Sequence, residues 1–80
     1  MKPIGKVTHY YDKLGVMVIE LHDTLRVGDR IRVEKDDDFF EQEVISIHKN
    51  YVPVQSAKEG DVIGLKVEHE VKDGALVLLS

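Results

Sequence analysis

The chain of 80 residues contains no cysteine and no tryptophan, and only two prolines. Without thiols it has neither a disulfide framework nor a thiolate zinc site to supplement its core. No apolar stretch approaches the roughly 20 residues that a membrane-spanning helix needs. The amino-terminal "MKPIGKVTHYY" carries a lysine with no apolar run behind it, which is not the pattern of a secretory signal. A cytoplasmic location is the expectation, with no membrane association. Also missing is any sustained apolar spacing at i, i+3 and i+4, so helix is expected to be nearly absent. Finally, no G-x-x-x-x-G-K-[ST] loop is present, which argues against GTP as a ligand and against P-loop hydrolysis.

What the chain does contain is ordinary for a soluble globular unit: 42% hydrophobic residues, 32% charged residues and a net charge of −4. That balance argues against a general nucleic-acid binder, for which an overall basic footprint is expected. Residues 1–80 are read as one domain, close to the size below which a single core no longer suffices.

The local signal is β, repeated. "IGKVTHYY" and "GVMVIELH" are rich in β-branched and aromatic residues, and "YDKLG" between them predicts a hairpin. "RIRVEK" alternates, with Ile31 and Val33 on one face and Arg30, Arg32 and Glu34 on the other. "FFEQEVISIHKNYVPV" reads as one long strand whose apolar phase slips, the mark of a β-bulge. Pro53 cannot donate to a ladder and marks a strand end or edge. "VIGLKVEHEV" alternates again, and "ALVLLS" supplies a last strand. Six or seven short strands with turns about every 10 residues predict an all-β fold, a closed and mostly antiparallel barrel. Closure is expected because a flat sheet of this size would leave long edges unprotected.

Two Gly-Asp pairs stand at the heads of alternating runs, Gly28-Asp29 before "RIRV" and Gly60-Asp61 before "VIGL". Glycine takes the positive φ of a tight turn without steric cost. Aspartate accepts hydrogen bonds from nearby backbone N–H groups. Both pairs are assigned as turns that start strands.

The order "L-x-VGD-x-I", then "V-x-SI", then "PVQSA-x-x-GD-x-IG-x-x-V" resembles the second domain of translational GTPases, over nearly the whole chain from Ile4 to Leu79. It is most similar to the archaeal and eukaryotic elongation factors that deliver aminoacyl-tRNA, with elongation factor Tu more distant. The resemblance implies a stand-alone barrel of the translation-protein type, acting as a non-catalytic module on RNA or a ribosome-associated complex. His48 stands where the family's adenosine pocket has an acidic residue, and Val62 where it has asparagine, so those two features do not carry over. Similar barrels also occur at the C-terminus of collagenase-like peptidases. The alternative is therefore a protein–protein adaptor, or a detached accessory domain of a separately encoded enzyme.

Candidate chemistry is sparse. His9, His22, His48 and His69 lack short-range ligand spacing, and Asp36-Asp37-Asp38 lacks the alternation of a calcium loop. Ser46, Ser56 and Thr8 have no accompanying base signature, and Glu41 and Glu43 are expected in cross-strand ion pairs. No catalytic residue, cofactor or metal is predicted. The arginines remain: Arg30 and Arg32 share one strand face roughly 7 Å apart. Their planar guanidinium forks suit phosphate or carboxylate groups. With Arg26 and Lys66 as outer members they form the candidate RNA- or anion-binding set. The sequence assigns no oligomeric state.

Overall fold

The computed structural model describes residues Met1–Ser80, which form ten strands and no helix. The first is the longest. β1, Lys2–Tyr11, turns through Asp12–Gly15 into β2, Val16–Leu21, and the turn is closed by Leu14 and Gly15 N–H groups donating to the Tyr11 carbonyl. Register shifts between Val7 and His9 against β2, and between Pro3 and Gly5 against the last strand, bend β1 so that it serves two partners. A two-residue strand β3, Leu25–Arg26, precedes β4, Arg30–Lys35, which folds back on β5, Asp38–Glu43. Then come β6, Ile47–Lys49, β7, Val52–Val54, β8, Ser56–Ala57, β9, Val62–Lys66, and β10, Leu76–Leu79.

All pairings are antiparallel. Eight strands form one sheet in the order β5-β4-β10-β1-β2-β9-β6-β7, and β3 pairs with β8 apart from it. The sheet curls around a core of 17 buried residues, among them Ile4, Met17, Ile19, Leu25, Ile31, Ile47, Leu65 and Val77. Strand alternation delivers them: Ile31 and Val33 from β4, Ile63 and Leu65 from β9, all at 3% exposure or less.

Two expectations are corrected. The predicted closed barrel of six or seven strands is instead an open eight-stranded sheet whose edges are β5 and β7. Pro53 in β7 has no N–H for another partner, and the stretch beside β5, after β9, is irregular rather than a strand. The gap is spanned by a side chain. Gln42, the one buried polar side chain, donates through Nε2 to the Lys66 carbonyl (2.9 Å) and the Glu43 carbonyl (3.3 Å), while Oε1 accepts from the Glu68 N–H (3.0 Å). The predicted long strand over "FFEQEVISIHKNYVPV" is also broken. It leaves the sheet at 44–46 and reverses at Asn50-Tyr51, where both residues have positive φ (52° and 66°), the signature of a two-residue hairpin turn.

Candidate functional site

The two Gly-Asp pairs build the same object. In each, the residue three before the aspartate accepts the aspartate's N–H through its carbonyl: Asp29 to Arg26 at 3.1 Å, Asp61 to Lys58 at 3.0 Å. The glycine takes positive φ, 97° at Gly28 and 89° at Gly60. The carboxylate then turns back, Asp29 accepting from the Arg26 N–H (2.9 Å) and Asp61 from the Lys58 N–H (3.0 Å). Each turn is clamped to a buried aliphatic by two further bonds. Gly28 donates to Val44 and Val44 to Asp29, while Gly60 donates to Leu21 and Leu21 to Asp61. The strands leading in, β3 and β8, pair with each other through Leu25 and Ala57. The fold is thus anchored by a twinned turn around one small two-stranded ladder. Asp61 also pairs with Lys49 Nζ at 3.0 Å. The bond from the Lys58 N–H, and after it the Lys49 ammonium, hold its carboxyl below the usual carboxylate range.

The predicted basic set is not brought together as a free patch. Arg30 and Arg32 share the outer face of β4, but Arg30 lies 3.6 Å from Glu41 and Arg32 lies 3.3 Å from Glu34. The Arg32 guanidinium also covers the Phe39 ring, 3.6 Å from its centroid. Arg26 stands on β3, and Lys66 on β9 donates to the Leu14 carbonyl at 2.8 Å. Neither is on β4 or on a strand paired with it. The histidines are also dispersed: His9 packs on Tyr11, His69 on Phe40, and His22 sits 3.8 Å from Glu20. No group of three or more His, Asp or Glu side chains is placed to hold a metal.

The feature that does gather is apolar. Val16 and Val18 of β2, Val62 of β9 and His48 of β6 line one outer side of the sheet, and Tyr11, Leu14 and Tyr51 rise from the flanking hairpins. Together they enclose a groove of about 570 Å³. Gly64 forms its floor, paired to Val18 on one side and His48 on the other. A Cβ there would come 3.3 Å from Val16 Cγ1, so the glycine keeps the trough open. Leu14, Val62 and Tyr51 are exposed, Tyr51 almost completely (99%). A contiguous apolar area on a small domain is the kind of surface that another protein covers. Sequence reasoning missed this groove. Its signal was that Val16, Val18 and Val62 are apolar at outward positions, where strand alternation places polar residues.

No family model matches the chain. It is 38% identical over 77 residues to an uncharacterized protease of Methanocaldococcus jannaschii, covering 95% of this chain and 19% of that protein. The chain therefore spans about a fifth of the length of the curated relative it matches. Among solved structures it is similar to the C-terminal domain of a U32 peptidase of Geobacillus thermoleovorans, in two crystal structures, each with a TM-score of 0.92 and 16% identity. The selenomethionine form is covered over 99% of its length and 98% of this chain; for the other the shares are 92% and 99%. These findings overturn the likeness to the second domain of elongation factors, and with it the reading as a translation-linked, RNA-binding module. The motifs that suggested it, "VGD-x-I" and "GD-x-IG", are the twinned turn and its strands, which serve architecture.

Proposed function

We propose that the chain is a non-catalytic accessory domain of the U32-peptidase type, which docks on a protein partner through the groove over β2, β9 and β6. The observation that carries this is the alignment of nearly the whole chain with a fifth of a protease. A segment of that proportion suits an appended domain better than a catalytic one. The groove supports it: Val62 and Leu14 are half or more exposed with no polar partner to gain from water. The proposed setting is cytoplasmic, where a chain without cysteine has no use for an oxidising compartment. No helix is long and apolar enough to cross a membrane.

The test is to titrate the purified chain into a U32-type peptidase truncated of its own C-terminal domain, following binding by calorimetry and turnover on a fluorogenic peptide. Binding that falls at least about tenfold with Val62→Glu is expected, a loss of about 1.4 kcal/mol or more for a charge set into an apolar contact. The chain alone should cleave nothing. Peptide hydrolysis by the isolated chain would overturn the non-catalytic assignment, and binding indifferent to Val62→Glu would remove the groove from the interface.

A further inference from the structure

A second region, on the opposite edge of the sheet, is unsatisfied in a different way. β5 pairs only with β4, and the phase of that ladder is fixed at its end by the Val44 N–H donating to the Asp29 carbonyl. Antiparallel strands send their backbone groups alternately to the two sides. Phe40 and Gln42, in phase with Val44, therefore face β4, whereas Phe39, Glu41 and Glu43 face away from the sheet. The Glu43 carbonyl is taken by Gln42 Nε2. Nothing takes Phe39 or Glu41: neither appears in any backbone hydrogen bond outside the ladders.

Beside this edge the molecule holds a cleft of about 370 Å³. Phe39 and Phe40 of β5 line one wall, and His69, Glu70 and Val71 line the other. The Phe40 and His69 rings stand 4.8 Å apart, and beyond them Gln42 closes the seam. A row of unpaired N–H and C=O groups beside an aromatic cleft is what an extended peptide uses to join a sheet.

Charge selects the occupant. The stretch Lys35–Glu43 carries Asp36, Asp37, Asp38, Glu41 and Glu43 against the single Lys35; across the cleft Glu70 stands beside Lys72, so the excess of negative charge lies on the β5 side. Of these only Glu41 has a cationic partner, Arg30. A second copy pairing β5 to β5 would set these carboxylates against each other, which destabilises a cross-strand pair. We infer that the free edge of β5 takes up an extended, lysine-rich peptide as an added strand, with its apolar residues on the inner face against Phe40 and its lysines on the outer face beside Glu41 and Glu43. This site is distinct from the groove and does not depend on a peptidase partner.

The probe is a short fluorescent peptide of alternating lysine and valine, followed by anisotropy and by amide chemical shifts of the labelled chain. Saturable binding is expected, with shifts at Phe39, Glu41 and His69–Val71. Methylating alternate backbone nitrogens of the peptide, on the face that meets β5, should weaken binding roughly threefold to tenfold per lost hydrogen bond. Phe39→Pro should do the same, because it deletes an N–H that the β4 ladder does not use. Should Phe39→Pro fail to fold, the methylated peptide alone decides the question. The inference is overturned by no binding at low salt, equal binding of the methylated peptide, equal binding of a glutamate–valine peptide, or shifts confined to Val16, Val62 and Tyr51. Concentration-dependent dimerisation with shifts along β5 also overturns it, since a second copy would then be the occupant.

Discussion

Gly28 and Gly60 have open space where a Cβ would lie, so a side chain at either meets no neighbour. Its cost is wholly in the backbone, since φ near 90° is a region that β-branched residues hardly enter. Gly60→Val is therefore expected to destabilise the chain by about 1–3 kcal/mol in urea unfolding, and Gly60→Asn by clearly less. Asp61, the next residue, gives a pH dependence. Its folded carboxyl titrates lower than in the unfolded chain, because of the Lys58 N–H and Lys49. Asp23 behaves likewise, first through its bond with Lys2 and then through the Thr24 N–H. Around the ordinary carboxylate range the unfolded chain thus binds more protons than the folded one. This stabilisation is complete above that range and is lost as pH falls through the lowered folded values. An acid titration of the unfolding midpoint should show that loss, and Asp61→Asn should flatten it. Gly28, Asp29, Gly60 and Asp61 were legible in the sequence because glycine and aspartate carry their turn chemistry locally; Asp23 was not, since its partner Lys2 lies on β1. The arginines were less so: alternation gave Arg30 and Arg32 their common face, but Phe39 and Glu41 beneath them depend on the β4–β5 register.

At the scale of elements, alternation located β4 and β9, where one apolar face meets the core. It failed over residues 39–54, where three strands read as one. The reversal at Asn50-Tyr51 lacks the glycine that normally announces a two-residue hairpin turn. A fully exposed tyrosine at φ 66° is a costly choice for a turn alone. Tyr51 stands on the rim of the groove, where its ring would offer amphipathic contact area to the proposed partner. The two roles separate on substitution. Tyr51→Gly relieves the left-handed strain, partly offset by the added freedom of the unfolded chain, so stability should rise or change by less than about 1 kcal/mol. Affinity for the truncated peptidase should nevertheless fall. A loss of stability with unchanged affinity would make Tyr51 a structural turn residue only.

At the scale of the molecule, counting strands could not distinguish an open sheet from a closed one, because the closing group is a side chain. Gln42 has the phase of a core residue, between Phe40 and Val44, and in sequence it is only a polar exception to the alternation. In the fold its amide offers both a donor and an acceptor to the stretch beyond β9, as a neighbouring strand's peptide group would. Gln42→Leu keeps the volume and removes the bridge, leaving the Glu68 N–H and the Lys66 carbonyl without a partner beside the core. A cost of about 0.5–1.5 kcal/mol is expected from the loss of such part-buried bonds. The loss should also be local. If Gln42 holds the seam, amide exchange at Glu68 will accelerate in the leucine variant by more than its global stability change accounts for, while the β1–β2 amides follow global unfolding alone. If core packing holds the seam instead, Glu68 will slow or quicken only in step with the rest of the sheet.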